Sequence, residues 1–191
     1  MIIDAHHHLW TADYQWLTEP GLESIRRDYT VADLVPRLDE SNVTATVLVE
    51  AGRCDAEETA GFLAHATPGT TFVLDHLGKP RIEADDLAGW RAAVRDLAAC
   101  DNVVAKLSGL LTEAGAGWRV ADIRPYVDTA LDLFGPQRLM AGSDWPVCEL
   151  VATYDEAWTA LHACLGELSP DERTAVLADT AIRTYALEVG S

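Results

Sequence analysis

Basic residues and long apolar runs are scarce in this chain of 191 residues, and each scarcity excludes a class of protein. Only 14 Lys and Arg stand against 31 Asp and Glu, which gives a formal net charge of −17. This acidic balance argues against nucleic acid or an anionic membrane as a partner. No apolar run approaches the roughly 18 residues of a membrane-spanning helix. The start lacks the basic and apolar regions of a secretory signal.

The cysteines also lack a pattern, since none of the four belongs to a C-x-x-C pair. They are widely spaced along the chain, at Cys54, Cys100, Cys148 and Cys164. Such cysteines are typical of reduced, mostly buried thiols, and they favour a cytoplasmic protein. The remaining composition is that of an ordinary globular chain, and its length predicts a single domain over residues 1–191.

A ligand-rich run, Asp4-Ala5-His6-His7-His8, directly follows Met1-Ile2-Ile3 at the start of the chain. The apolar residues predict a short buried strand whose polar end emerges from the core. Because side chains alternate along a strand, His6 and His8 share a face and His7 points away. Two imidazoles on one face can chelate a divalent ion, but a catalytic zinc site needs further ligands. A polar turn with a chance cluster of histidines is the alternative.

Strands and helices alternate through the rest of the chain. β-branched and apolar runs predict further strands over residues 44–50, 71–76, 102–107 and 138–142. Amphipathic periodicity predicts helices over residues 30–41, 55–66, 86–99, 120–134, 155–164, 170–178 and 181–187. This order is typical of a parallel sheet covered by helices, an α/β fold.

Polar residues fall where the predicted strands end. They are His6, His8, Glu50, His76, Lys106, Ser108 and Asp144. Because the carboxyl ends of parallel strands lie at one edge of the sheet, these side chains predict a functional site there. The alternatives are an N-cap role for Asp144 and a core position for His76.

Four sequence blocks, in this order, resemble a known family. They are Ile3-Asp4-Ala5-His6-His7-His8-Leu9-Trp10, Val73-Leu74-Asp75-His76-Leu77-Gly78-Lys79-Pro80, Lys106-Leu107-Ser108-Gly109-Leu110 and Gly142-Ser143-Asp144-Trp145-Pro146-Val147-Cys148. The chain resembles the amidohydrolase-related family of metal-dependent-hydrolase-like TIM barrels. Within that family it is most similar to the sugar-lactonase branch, typified by L-fuconolactonase and L-rhamnonolactonase.

The resemblance implies roles for particular residues. The implied metal ligands are His6, His8, His76 and Asp144, with zinc as the first candidate, although lactone hydrolysis in this family does not always require a metal. Asp144 would be the general base and His76 a second catalytic group. The residues assigned to substrate binding are Lys79, Lys106 and Trp145, for which solvated lysines and core packing are the alternatives. Apart from the resemblance, Asp4 shares a strand face with His6 and His8 and lies deeper, so it is expected to orient an imidazole.

The chain is short for this fold, because an eight-stranded barrel typically needs about 250 residues. Five strands are predicted, and the shortening lies between about residues 51 and 70. The sequence therefore predicts an incomplete TIM-barrel-like fold, with apolar sheet edges that favour pairing with a second copy.

The expected function is hydrolysis of a small sugar-acid lactone or a similar cyclic ester. The alternatives are a metal-dependent decarboxylase of the same superfamily, and a catalytically inactive truncated relative.

Overall fold

The computed structural model describes residues 1–48 and 71–188, and the structural statements below concern these residues. Several predictions lie outside them: the end of the strand at residues 49 and 50, the helix over 55–66 and the internal shortening. Cys54 is also outside, whereas Cys100, Cys148 and Cys164 are buried, as predicted.

Five strands form two parallel sheets within the described residues. They are β1 Ile3–His7, β2 Ala45–Leu48, β3 Phe72–Leu74, β4 Val103–Leu107 and β5 Leu139–Ala141. One sheet pairs β1 with β2, and the other has the order β3-β4-β5. The predicted parallel pairing is therefore present in each sheet.

Backbone hydrogen bonds connect the two sheets at one end. The N–H of Asp144 donates to the carbonyl of His6 at 2.8 Å, and the N–H of His8 donates to the carbonyl of Trp145 at 2.6 Å. These contacts place the segment after β5 alongside the end of β1, so the strands follow the order β2-β1-β5-β4-β3. The carboxyl ends of β1, β3, β4 and β5 consequently lie near one another.

Seven α-helices are present in the described residues. They are α1 Val31–Glu40, α2 Leu87–Ala98, α3 Leu110–Ala114, α4 Val120–Phe134, α5 Tyr154–Cys164, α6 Pro170–Thr174 and α7 Thr180–Tyr185. The Asp33 carboxylate accepts the N–H of Thr30 at 2.9 Å, which confirms the predicted cap of α1. Pro36 lies inside α1 without ending it.

One prediction about the helices was wrong, and one helix was missed. A break was expected near residue 180, but a π-helical turn, Ala175–Asp179, joins α6 to α7. The short helix α3 was not predicted, because five residues carry too little periodicity to detect.

Strands β1, β4 and β5 are buried on both faces. Ala105 and Leu107 of β4 belong to the main core, which also contains Trp90 of α2 and Val127 of α4. Alternate strand residues form a second core with the last helices, made of Ile3, Ala5, Val104, Met140, Ala178 and Ala181. Burial on both faces explains why these strands read as continuous apolar runs. None of the described helices is long and apolar enough to cross a membrane.

Candidate functional site

Three predicted ligand atoms meet where β1 and β5 end. His6 Nε2 lies 3.0 Å from His8 Nε2 and 3.4 Å from Asp144 Oδ1. His8 Nε2 lies 3.5 Å from the same oxygen of Asp144. All three residues are at most 8% exposed. The structure thus brings together two imidazoles and a carboxylate that could hold one metal ion.

His76 lies at the side of this cluster. Its Nε2 is 3.8 Å from Asp144 Oδ1, and its ring centroid is 4.3 Å from that of His6. Its Nδ1 lies 2.9 Å from the Ser108 hydroxyl oxygen, so the opposite nitrogen faces Asp144. The three predicted histidine ligands therefore all lie within 3.8 Å of Oδ1 of the fourth, Asp144.

The predicted strand over residues 71–76 ends early, and this changes the position of Asp75. β3 stops at Leu74, and His76 and Leu77 adopt left-handed conformations with φ of 52° and 53°. The alternation of side chains ends with the strand. Along a regular strand Asp75 would lie on the face opposite His76, but in the structure it lies 3.3 Å from His6 Nδ1.

Lys106 contacts the same groups. Its ammonium lies 2.8 Å from Asp75 Oδ1 and 3.3 Å from His6 Nδ1, and the residue is 2% exposed. Burial opposes ionisation of Asp75, but the contacts with His6 and Lys106 hold the pKa of its carboxyl well below the usual value. The ammonium of Lys106 is thus paired with a protein carboxylate, and the prediction that it binds substrate is not supported by this position.

Asp4 holds the backbone of the site together. Its carboxylate accepts the N–H of His6 at 3.1 Å, the N–H of Ser143 at 2.9 Å and the hydroxyl of Tyr154 at 3.0 Å. The Ser143 hydroxyl donates to it as well. Burial raises the pKa of Asp4 to about 6, against the effect of these hydrogen bonds. The prediction that Asp4 orients an imidazole was wrong, since it bonds to the start of the Asp144 loop instead.

Two glycines allow the site residues to approach closely. A Cβ on Gly109 would lie 2.7 Å from His76 Nδ1 and 3.1 Å from Asp144 Oδ2. A Cβ on Gly142 would lie 2.8 Å from the Cβ of His6. Any side chain at either position would displace a site residue.

Two further residues, Trp145 and Lys79, were predicted to bind substrate. Trp145 is fully buried, its ring is 5.1 Å from that of Tyr29, and its indole N–H donates to Glu149 at 2.7 Å. A ring enclosed in this way cannot stack on a sugar, so the predicted contact of Trp145 with substrate was wrong. Lys79 is exposed, at the end of the turn that contains His76.

Sequence reasoning missed Glu149, which gathers donors from distant segments. Its carboxylate accepts from the Tyr29 hydroxyl at 2.9 Å and from Arg37 Nη2 at 2.9 Å, in addition to Trp145. Tyr29 and Arg37 are more than 100 positions away in the sequence. No local pattern could have shown this contact, which ties the segment after Asp144 to α1.

The protonation states suit metal binding and proton transfer. Burial lowers the pKa of His6 to about 4, so its ring is neutral near pH 7. Burial would raise the pKa of Asp144, but His76, His8 and His6 together hold it below the usual value. The cluster therefore combines the neutral imidazole of His6 with the ionised carboxylate of Asp144.

The donor geometry fits a divalent ion. Two nitrogens bound tetrahedrally to zinc at about 2.0–2.1 Å would lie roughly 3.3 Å apart, close to the spacings of 3.0–3.5 Å at His6, His8 and Asp144. Asp144 Oδ1 is buried, and within the described residues it has no hydrogen-bond partner of normal geometry. A cation would satisfy this oxygen.

Known proteins resemble the chain in sequence and in structure. L-fucono-1,5-lactonase of Burkholderia multivorans is 53% identical over 127 residues, which cover 61% of this chain and 43% of that protein. The chain thus spans less than half the length of this curated relative. Two crystal structures of an amidohydrolase from Burkholderia multivorans, one with bound HEPES and one with bound zinc, are 31% and 29% identical. Each superposes with a TM-score of 0.89 over 98% of this chain and 100% of the other.

The family model described as Amidohydrolase matches residues 57–187, more than half of the chain. The structural neighbours of the same family imply a TIM-barrel-like fold. The chain belongs to the amidohydrolase family.

Proposed function

We propose that this chain forms the metal-binding and proton-transferring part of a lactone hydrolase. The observation that carries the proposal is the convergence of His6, His8 and His76 on the buried carboxylate of Asp144. The similarity to a protein named L-fucono-1,5-lactonase supports a small sugar-acid lactone, or a similar cyclic ester, as the substrate.

His6, His8 and Asp144 would hold a zinc ion, with His76 beside it as a further ligand or an electrophile. The donor set suits zinc, and the zinc in the crystal structure of a related amidohydrolase supports this choice. A bound zinc ion would polarise the lactone carbonyl and lower the pKa of water. Because a lactone is an activated ester, the same residues could also act without a metal.

Asp144 moves the proton in the proposed reaction. Its ionised carboxylate accepts a proton from the attacking water as the new C–O bond forms at the lactone carbonyl. When the ring C–O bond breaks, Asp144 returns that proton to the departing alkoxide, so lactone and water become a hydroxy acid. The contact of His76 Nδ1 with Ser108 turns Nε2 toward the site, where an N–H can stabilise the developing oxyanion.

We also propose that the chain is a single domain that forms an incomplete TIM-barrel-like fold. The described strands and the 43% share of the curated relative support a barrel of about five of the eight strands. We place the shortening between about residues 51 and 70. Within the described residues, β2 and β3 each have a single neighbouring strand. A second copy of the chain, paired at these edges, would complete the wall of the substrate pocket.

A lactone-hydrolysis assay with and without added zinc tests this function. Asp144→Asn keeps the shape of the side chain but cannot accept a proton, so the rate should fall by about 10²- to 10⁴-fold. Asp128→Asn, an exposed change on α4, should leave the rate unchanged. Equal rates for Asp144→Asn and wild type would refute the role of Asp144. Zinc binding without turnover of any lactone would instead favour an inactive relative.

A further inference from the structure

Asp144 has an unusual backbone conformation. Its φ is 59°, in the left-handed region that residues other than glycine rarely adopt. Such a conformation persists where the surrounding structure enforces it. We infer that Tyr154, acting through Asp4 and Ser143, is a positioning residue that keeps Asp144 in this conformation and its carboxylate at the histidines.

The residues on either side of Asp144 are fixed by one buried carboxylate. The N–H of Ser143 donates to Asp4 Oδ1 at 2.9 Å, and the Ser143 hydroxyl donates to Asp4 Oδ2. The same hydroxyl accepts the N–H of Trp145 at 3.1 Å, and its own proton remains available for Asp4. Asp4 therefore restrains the chain directly before Asp144 and, through the Ser143 hydroxyl, directly after it.

The peptide groups of Asp144 itself are also bonded. Its N–H donates to the carbonyl of His6 at 2.8 Å, and its carbonyl accepts the N–H of Cys148 at 3.0 Å. A rotation of Asp144 to negative φ would disturb these bonds and move the carboxylate away from His6 and His8. The position of the carboxylate thus depends on the backbone bonds that Asp4 and Ser143 hold in place.

Tyr154 connects this arrangement to helix α5. Its hydroxyl donates to Asp4 Oδ2 at 3.0 Å, and it is 3% exposed beside the fully buried Asp4. Tyr154 is the first residue of α5, where the Thr153 hydroxyl caps the helix by accepting the N–H of Glu156 at 3.2 Å. The capped helix holds the phenol in place, so Asp4 has a donor at a fixed position. A buried carboxylate that lost this donor would be less firmly held, because water cannot replace the bond.

Amide hydrogen exchange, followed by NMR on the metal-free protein, tests the inference without any assay of activity. Tyr154→Phe removes only the hydroxyl, and exchange at Ser143 and Asp144 should become about 10-fold faster while the amides of β4 keep their wild-type rates. Tyr126→Phe is the matched control, because Tyr126 is 2% exposed and its buried hydroxyl has no hydrogen-bond partner among the described residues. It should leave exchange at Ser143 and Asp144 unchanged. Unchanged exchange at these two amides in Tyr154→Phe, or equal acceleration throughout β4, would overturn the inference.

Lactone hydrolysis provides a second readout, which rests on the proposed function. Tyr154→Phe should lower kcat by about 10-fold with KM unchanged, and Tyr126→Phe should hydrolyse lactones at the wild-type rate. In the Asp144→Asn background, Tyr154→Phe should cause no further loss, because Tyr154 acts through the Asp144 carboxylate. A further loss in that double variant would overturn this route of action. A wild type that hydrolyses no lactone would refute the proposed function, whereas the exchange rates would still decide whether Tyr154 positions Asp144.

Discussion

Replacing Glu149 should reveal how strongly one carboxylate stabilises the segment that carries Asp144. Glu149 receives hydrogen bonds from Trp145, Tyr29 and Arg37. Glu149→Ala removes all of these acceptors, whereas Glu149→Gln keeps an oxygen in a side chain of the same size. The comparison separates the hydrogen bonds from the charge.

The size of the effect depends on how deeply each donor is buried. Trp145 and Tyr29 are at most 1% exposed, so their N–H and O–H would lose an acceptor with no access to solvent. Each such loss costs about 1–3 kcal/mol. The Arg37 side chain is 30% exposed and would be solvated again, so its ion pair contributes about 1 kcal/mol or less. Glu149→Ala should therefore lower the free energy of unfolding by about 2–7 kcal/mol.

Glu149→Gln should cost only about 1 kcal/mol, because its amide oxygen still accepts from Trp145 and the Tyr29 hydroxyl can accept from the amide nitrogen. Urea unfolding followed by circular dichroism measures these differences. Glu167→Ala, an exposed change after α5, is the control and should remain within about 0.5 kcal/mol of wild type. An equal loss for Ala and Gln would show that charge dominates, and no loss for Ala would refute the reasoning.

Three further predictions concern other parts of the molecule. Gly109→Ala places a Cβ 2.7 Å from His76 Nδ1 at a φ of +66°. The free energy of unfolding should therefore fall by about 1–3 kcal/mol, and the affinity for zinc should decrease. An unchanged zinc affinity in a competition assay with a chelator would contradict this. Burial and the nearby Arg173 lower the pKa of His162, so the unfolded chain binds the proton first as pH falls below about 6.5. Stability should therefore decrease between pH 7 and pH 5, and His162→Gln should show a smaller decrease in parallel urea titrations. Light scattering after size exclusion should show dimers or larger species that dissociate on dilution, whereas a monomer at every concentration would refute pairing through β2 and β3.

Much of the fold could be predicted from local patterns. The helix over residues 120–134 has the bounds expected from its apolar periodicity, and the Thr30–Asp33 cap marks the start of α1. These signals are local, because periodicity and capping depend on residues a few positions apart. The parallel pairing also followed from the alternation of strands with helices, since parallel strands need crossover connections.

The gathering of His6, His8, His76 and Asp144 could be anticipated for a related reason. Each residue follows an apolar run, and parallel strands present their carboxyl ends at one edge. The sequence by itself therefore determined which side chains lie at that edge and which chemical groups they offer.

The partners of these side chains were decided by the tertiary structure alone. Asp75 faces His6 because the chain turns left-handed at His76, which ends the alternation on which the prediction depended. Lys106 lies 100 positions from His6, and Glu149 lies 120 from Tyr29, so their contacts exist only after the strands and α1 have packed. Buried polar groups take whatever partner the fold brings within reach. For this reason the positions of His6, His8, His76 and Asp144 after predicted strands indicated the candidate ligands. Only the folded chain determined the hydrogen bonds that hold these side chains.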